Sequence, residues 1–192
     1  MEAYEATHNC PTFCPLPDCP AMTRTNANLF SALTAAFPTR RSACAVETDS
    51  GLLYSWQDLL DASAMLANLL DSLKLPAASR IAVQVDKSVE ALMLYLATLR
   101  AGHIFVPLNT AYQSGEMAYF LQDAQAAVLV CSSANLPWLQ PLSRAAGTRH
   151  VFTLNDNRTG TLLDAAARHS RKHMVAKVAP KALAAIIYTS GT

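Results

Sequence analysis

The last four residues of the chain carry side chains suited to binding an oxyanion. They follow an apolar run directly, and they are Thr189, Ser190, Gly191 and Thr192. Hydroxyl groups donate hydrogen bonds, and glycine lets the backbone come close, so that successive N–H groups can surround an anion. The run lacks the lysine of the common Gly-x-x-x-x-Gly-Lys nucleotide loop. On residue types alone, a phosphate site and a plain polar turn after a strand both remain open.

The position of these residues favours the phosphate interpretation. The apolar run from Leu183 to Tyr188 predicts a buried strand that leads straight into the hydroxyl-rich turn. Loops that follow the carboxyl ends of buried strands are common sites for phosphate groups. The rest of the chain must therefore supply a sheet that holds this strand.

Helical and strand patterns alternate along the upstream sequence. Helices are predicted over residues 28–37, from Ser55 to about Leu73, from Ser88 to Gly102, from Ser114 through Leu121, over 136–146 and over 161–169. Strands are predicted over residues 44–47, 52–54, 81–85, 104–108, 126–131 and 151–154. Strands that alternate with helices of this length indicate an α/β fold, with parallel strands joined by crossover helices. Residues 155–181 are polar and basic and predict a surface excursion.

Three serines mark predicted helix starts. Ser55 is expected to cap its helix, with Asp58 three residues later as its capping-box partner. Ser88 and Ser114 are expected to cap the next two helices. Aromatic side chains at Trp56, Tyr95 and Tyr119, together with the thiols of Cys44 and Cys131, are predicted to be buried.

Composition limits the classes of function. Hydrophobic residues make up 52% of the chain and charged residues 15%, which excludes a disordered chain. The net charge of +1 gives no global attraction to nucleic acid. A sparse basic cluster is interpreted as a solvated face, and it comprises Arg168, Arg171, Lys172, Lys177 and Lys181. With no secretory pattern and no apolar run of membrane-spanning length, the sequence predicts a cytoplasmic protein without a membrane span.

The first residues of the chain differ from the rest. A proline-rich stretch over residues 1–21 contains His8, Cys10, Cys14 and Cys19, which are side chains that can bind zinc. Their spacing matches no paired Cys-x-x-Cys pattern, so the stretch is interpreted as a disordered leader. Met22 begins the first ordinary globular sequence and is a plausible true start of the protein.

Several segments together resemble one enzyme family. The run Tyr188-Thr189-Ser190-Gly191-Thr192 looks like the opening of the signature loop of the acyl-adenylate-forming superfamily, which includes acyl-CoA synthetases, peptide-synthetase adenylation domains and luciferases. Upstream, residues 88–102 resemble the family's early helix, 105–109 the strand after it, and 54–59 the aromatic entry to the first long helix. The resemblance covers residues 28–192.

The resemblance implies a fold, a site and a set of substrates. Residues 22–192 would form the N-terminal portion of the large domain, a partial AMP-binding (adenylation) domain that is truncated inside its phosphate-binding loop. The phosphates of ATP would be bound by Thr189, Ser190, Gly191 and Thr192. ATP and coenzyme A would be the substrates of the full-length enzyme, and Mg²⁺ would be its metal cofactor. The family's adenine platform, ribose-binding aspartate and catalytic lysine are expected beyond Thr192. The resemblance therefore implies no catalytic residue and no metal ligand within this chain, and the chain alone is expected to be inactive.

A finer resemblance indicates the acid. Residues 83–88 together with 107–112 look most like malonyl-CoA synthetases, which implies malonate or a related small carboxylic acid as the substrate. The match departs from that subfamily at Asp86, where relatives often carry glutamate, and at His103, where they carry a smaller residue. Arg100 and Lys87, which could meet a second carboxylate, are interpreted as helix-end charges that face water.

Other interpretations remain open at this point. The chain could belong to another ligase of the same superfamily, or to a non-catalytic remnant of its first lobe. A dinucleotide-binding oxidoreductase is disfavoured because Gly51, Gly102 and Gly115 are isolated and form no glycine fingerprint. The histidines share no metal-ligand spacing and are interpreted as surface or structural residues: His103, His150, His169 and His173.

Overall fold

The computed structural model describes residues 26–189 of the 192-residue chain. The predicted leader and its His8, Cys10, Cys14 and Cys19 therefore lie outside the described residues, as do Ser190, Gly191 and Thr192.

Six helices and six strands make up the regular structure of the described residues. In chain order they are α1 (Leu29–Ala35), β1 (Cys44–Glu47), β2 (Leu53–Ser55), α2 (Trp56–Ser72), β3 (Arg80–Gln84), α3 (Val89–Arg100), β4 (Ile104–Pro107), α4 (Ser114–Ala124), β5 (Val128–Cys131), α5 (Leu136–Ala145), β6 (His150–Thr153) and α6 (Thr161–Ala166). None of these helices is long and apolar enough to cross a bilayer.

The main sheet has four parallel strands in the order β4-β3-β5-β6. A separate antiparallel hairpin, β1-β2, precedes α2. Each strand of this sheet is joined to the next along the chain through one helix, which confirms the α/β class with a parallel-rich sheet flanked by helices. All four strands end at the same side of the sheet, which we call the carboxyl edge.

Helices cover both faces of the sheet. Ile81 and Val83 of β3 point to a core formed with α2, α3 and α6. Ala82, between them, points to a second core formed with α4 and α5. β5 divides in the same way, because Val128 and Val130 join the first core while Leu129 and Cys131 join the second. Apolar residues on both faces are the reason that β3 and β5 read as continuous apolar runs.

Two of the three predicted serine caps are confirmed. The Ser55 hydroxyl accepts from the backbone N–H of Asp58, and the Asp58 carboxylate accepts from the backbone N–H of Ser55 at 2.8 Å. Ser88 accepts from the backbone N–H of Ala91 at 3.1 Å. The expectation for Ser114 is wrong by one residue. α4 is capped by Gln113, whose backbone N–H donates to the Glu116 carboxylate at 2.9 Å.

The final apolar run is shorter as a strand than predicted. Its pairing with β4 is a single parallel bridge between Phe105 and Ala185. The Phe105 N–H donates to the Ala184 carbonyl, and the Ile186 N–H donates to the Phe105 carbonyl, both at 3.0 Å. The run extends the sheet beside β4 in the predicted direction, but Leu183 and Ile187 are exposed.

A tight corner joins β6 to α6. The Thr153 N–H donates to the Thr161 hydroxyl at 2.9 Å, and the Thr161 N–H donates to the Thr153 hydroxyl at 3.0 Å. Gly160 caps α6 with a φ of +139° and lies directly against the Thr153 carbonyl. Only glycine adopts this backbone region without strain.

Polar side chains hold the irregular segment after α6 against α2 and α3. Arg100 donates to the Leu60 carbonyl at 3.0 Å and to the His173 carbonyl at 2.7 Å, and its guanidinium lies 5.0 Å from the Phe30 ring centroid. Asn28 donates to the Ala176 carbonyl at 2.9 Å. The expectation that Arg100 faces water is therefore wrong, because it packs in the protein and binds backbone. The five basic residues of the predicted solvated face are all exposed, as expected.

Burial departs from prediction at two more positions. Tyr119 is 60% exposed on α4, and Cys44 is exposed at the start of β1. Both belong to elements with one open side, and a single sequence does not indicate which side is open. Tyr95 packs edge-on against Phe105, with ring centroids 5.1 Å apart.

Candidate functional site

The carboxyl edge of the sheet is where the chain places the start of its predicted phosphate site. The run that pairs with β4 is parallel to it, so Tyr188 and Thr189 follow in the direction of this edge. In open α/β sheets, ligands bind in the crevice outside the carboxyl ends of the strands.

A buried glutamine organises the middle of this edge. Gln84, the last residue of β3, is fully buried. Its amide nitrogen donates to the Asn109 carbonyl at 3.3 Å, and its amide oxygen accepts from the Asn135 side chain at 3.1 Å. Gln84 thus connects the loops that follow β4 and β5. Sequence reasoning missed this role, although one polar residue inside the apolar run of β3 was a usable signal.

A second amide side chain fixes the neighbouring loops. The Asn155 oxygen accepts from the backbone N–H of Ser133 at 2.8 Å, and its nitrogen donates to the Ser133 hydroxyl at 3.1 Å. Asn155 follows β6 and Ser133 follows β5, so one residue ties two strand ends together. Side-chain amides therefore tie together the loops that follow the strands at the carboxyl edge.

Tyr188 is anchored to α4. Its hydroxyl donates to the Asp123 carboxylate at 2.6 Å. Its ring lies 4.4 Å from the Phe120 ring, which in turn lies 4.8 Å from that of Tyr112. Burial and the hydrogen bond to Asp123 raise the pKa of Tyr188 well above the usual value of a tyrosine. Tyr188 therefore remains a neutral hydrogen-bond donor throughout the physiological pH range.

Of the four predicted phosphate-binding residues, the structure describes one. Thr189 follows Tyr188 and is exposed. Lys87 is exposed in the loop that follows β3 at this edge, whereas Arg100 is bound to backbone carbonyls at the end of α3. His173 contacts Asp71 at 2.8 Å between Nε2 and Oδ2. Within residues 26–189, no group of three or more acidic, histidine or cysteine side chains is arranged to hold a metal ion.

The thiol nearest this edge is expected to be inert. Cys131, the last residue of β5, is fully buried, and burial raises the pKa of its thiol to about 11. Only a thiolate reacts with alkylating reagents, so Cys131 should resist iodoacetamide at pH 8 in the folded protein. Exposed Cys44 should be modified readily. Peptide mapping by mass spectrometry measures both sites, and equal modification would contradict the burial of β5.

Comparisons with known proteins agree on the family. The family model described as "AMP-binding enzyme" matches residues 32–192. The crystal structure of apo MatB from Rhodopseudomonas palustris is 39% identical, with a TM-score of 0.81, over 86% of this chain and 32% of that chain. The ATP-bound form of the same protein gives the same identity and TM-score, and the match covers 86% of this chain and 33% of that chain.

More distant relatives differ in what they make. Tyrocidine synthase 3 from Brevibacillus parabrevis is 30% identical over 138 residues, which is 72% of this chain and 2% of that protein. A crotonobetaine/carnitine–CoA ligase from Escherichia coli is 29% identical over 119 residues, which is 60% of this chain and 23% of that protein. The chain thus spans about a third of the matched MatB structures and a smaller share of these relatives. Its fold, its carboxyl edge and these matches show that the chain belongs to the family of AMP-binding, acyl-adenylate-forming enzymes.

Proposed function

We propose that this chain contributes the phosphate-binding part of an ATP-dependent ligase that joins malonate, or a related small carboxylic acid, to coenzyme A. The support for malonate is the 39% identity to MatB, a malonyl-CoA synthetase, over 86% of the chain. The peptide synthetases are 29–34% identical over 56–85% of this chain, and the crotonobetaine/carnitine–CoA ligases are 28–29% identical over 58–60%. The ATP-bound form of MatB supports ATP as a substrate.

The proposed reaction has two steps. A carboxylate oxygen attacks the α-phosphorus of ATP, the bond to the β-phosphate oxygen breaks, and pyrophosphate leaves with the bonding electrons. The thiol sulfur of coenzyme A then attacks the acyl carbon, AMP leaves, and the thiol proton is released. Activation is needed because a free carboxylate repels nucleophiles and has no good leaving group.

The role of this chain in the first step is to hold phosphate. The hydroxyl and N–H groups of Thr189, Ser190, Gly191 and Thr192 would donate to the oxygens of the β- and γ-phosphates. Donors fixed before the reaction stabilise the charge that develops on pyrophosphate. Mg²⁺ would arrive with the nucleotide as MgATP, since Mg²⁺ is usually bound through substrate phosphates and waters with few protein ligands.

One observation carries this proposal. The parallel bridge at Phe105 and Ala185 directs the chain to the carboxyl edge just before the hydroxyl-rich residues begin. Arg100 uses its donors on backbone, and Lys87 is exposed in the loop between β3 and α3.

Grafting tests the phosphate role. Residues 26–192 are placed in MatB of R. palustris in exchange for the matching segment, and ATP-dependent pyrophosphate release with malonate is measured. We expect an active chimera, because the two chains share 39% identity and the same fold. Changing Thr189→Val with Ser190→Ala should lower kcat/KM for ATP at least about tenfold, since each hydrogen bond to a charged group contributes about 1.5–3 kcal/mol.

The control for this graft is Thr39→Ala, an exposed threonine outside the regular elements, which should leave kcat/KM unchanged. The 192-residue polypeptide by itself should release no pyrophosphate. If the double substitution does not change kcat/KM for ATP in a folded chimera, the proposed phosphate role of these residues is contradicted.

Acid preference is tested on the complete enzyme. Pyrophosphate release is compared for malonate, methylmalonate, acetate and a panel of amino acids, with coenzyme A present. Malonate is expected to give the highest kcat/KM. A clear preference for an amino acid would favour an adenylation domain like those of the peptide-synthetase relatives. A preference for a carboxylic acid other than malonate would indicate a different CoA ligase.

A further inference from the structure

The contact between Tyr188 and Asp123 lies immediately before the proposed phosphate-binding residues. We propose that Asp123 is a positioning residue, which fixes Thr189 by holding the Tyr188 side chain on α4. This inference rests on the proposed phosphate role of residues 189–192. The carboxylate itself touches no phosphate and acts only through the tyrosine.

Backbone pairing stops before the site. The last backbone hydrogen bond of the run that the structure shows within residues 26–189 is the one from the Ile186 N–H to the Phe105 carbonyl. Ile187 is 71% exposed, so its side chain adds little packing. Among residues 187–189, the described contacts that join the segment to the rest of the fold are those of the Tyr188 ring and hydroxyl. A segment with so few described contacts depends on each of them for its order.

The hydrogen bond itself is short. At 2.6 Å between the tyrosine hydroxyl and the Asp123 Oδ2, it has the length of a charge-assisted O–H···O⁻ bond. The surrounding groups favour a neutral tyrosine. The Coulomb interaction with Tyr119, on the same helix as Asp123, also raises the pKa of Tyr188. The interaction with Arg80, at the start of β3, lowers it by a smaller amount.

α4 is a firm base for this contact. Met117, Leu121 and Ala124 are buried against the sheet, so the helix cannot shift without opening the second core. The Phe120 ring links Tyr188 to Tyr112, whose backbone N–H donates to the Asn109 carbonyl at 3.1 Å. The loop after β4 and the start of the phosphate site thus share one aromatic cluster on one helix.

The test uses the 192-residue chain and backbone ¹⁵N relaxation, with Tyr188→Phe and Asp123→Ala as variants. In the wild type, residues 187–189 should have order parameters near the value of about 0.85 for rigid backbone, and each variant should lower them below about 0.6. The double variant should equal either single one, because both remove the same bond. Asp123→Asn keeps an acceptor oxygen and should restore most of the order.

The matched control is Tyr119→Phe, which removes the hydroxyl of an exposed tyrosine on the same helix and should change nothing. Thermal unfolding should stay within about 2 °C for all variants, as expected for substitutions of exposed or partly exposed groups. Unchanged order at residues 187–189 in Tyr188→Phe would overturn the positioning role.

A second readout separates this inference from the proposed function. MgATP is titrated while the backbone amide of Thr189 is followed, and the two variants should bind about five- to tenfold more weakly than the wild type, in the range of one ordinary hydrogen bond. A wild-type chain whose Thr189 amide does not respond to MgATP contradicts the phosphate role alone. Variants that bind MgATP as tightly as the wild type contradict the positioning role alone.

Discussion

Replacing Gly160 by alanine should destabilise the protein by about 3 kcal/mol and lower its Tm by about 6–12 °C. A Cβ at this position would lie 2.7 Å from the Thr153 carbonyl carbon and 3.0 Å from the Leu154 Cα, closer than side chains approach backbone. The φ of +139° is also a region that residues with a Cβ rarely adopt. Both costs act together, because relieving the contact would move α6 away from the reciprocal Thr153–Thr161 hydrogen bonds.

Gly115→Ala is the matched control for this prediction. Gly115 lies in the first turn of α4, and a Cβ there would meet no atom within 4 Å. Alanine at that site should be neutral or stabilise by up to about 1 kcal/mol, through helix propensity. Chemical denaturation of both variants measures the difference. Equal stability of the two would contradict the close approach at the corner between β6 and α6.

Replacing Arg100 by methionine should cost about 2–3 kcal/mol of unfolding free energy. The substitution keeps much of the apolar contact with Phe30 but removes donors to the Leu60 and His173 carbonyls. A carbonyl that loses its partner in a partly buried place costs about 1–3 kcal/mol. Arg100→Lys should recover only part of the lost unfolding free energy. An ammonium group keeps a donor but cannot reach several carbonyls at once, as a planar guanidinium does.

The local effect of the same change is expected on the segment after α6. Trypsin should cleave after Lys172 and Lys177 several-fold faster in Arg100→Met, because the His173 carbonyl is no longer held. Arg171→Met is the control. The Arg171 side chain is 73% exposed and lies 3.6 Å from Asp61, so its loss should change stability by less than about 0.5 kcal/mol. Equal proteolysis in the two variants would contradict the role of Arg100 as an anchor.

The elements of this fold were predictable because hydrophobic periodicity and cap residues agree with each other. Each of the four strands of the sheet was expected within about two residues, and Ser55 and Ser88 cap their helices as predicted. The error at α4 arose because Gln113 forms the capping box with Glu116, and glutamine is a less common cap than the adjacent serine.

Long-range polar contacts were not predictable in the same way. Arg100 reads as a helix-end charge, and only the folded chain shows that carbonyls 40 and 73 residues away converge on it. In the sequence, Gly160 looks like an ordinary turn glycine. The structure shows that glycine is required there because the Thr153 carbonyl leaves no room for a Cβ. At the candidate site, the residue types of the terminal run indicated phosphate binding, whereas the anchoring of Tyr188 by Asp123 depends on a contact across 65 residues.

The strand order β4-β3-β5-β6 has a consequence for synthesis on the ribosome. β3 emerges first and takes the centre, β4 then adds on one side, and β5 and β6 add in turn on the other. The bridge at Ala185 finally forms outside β4. Each later strand therefore joins a free edge, and no strand has to be inserted between two that are already paired. The nascent chain can grow its sheet outward as it leaves the exit tunnel, without undoing earlier hydrogen bonds.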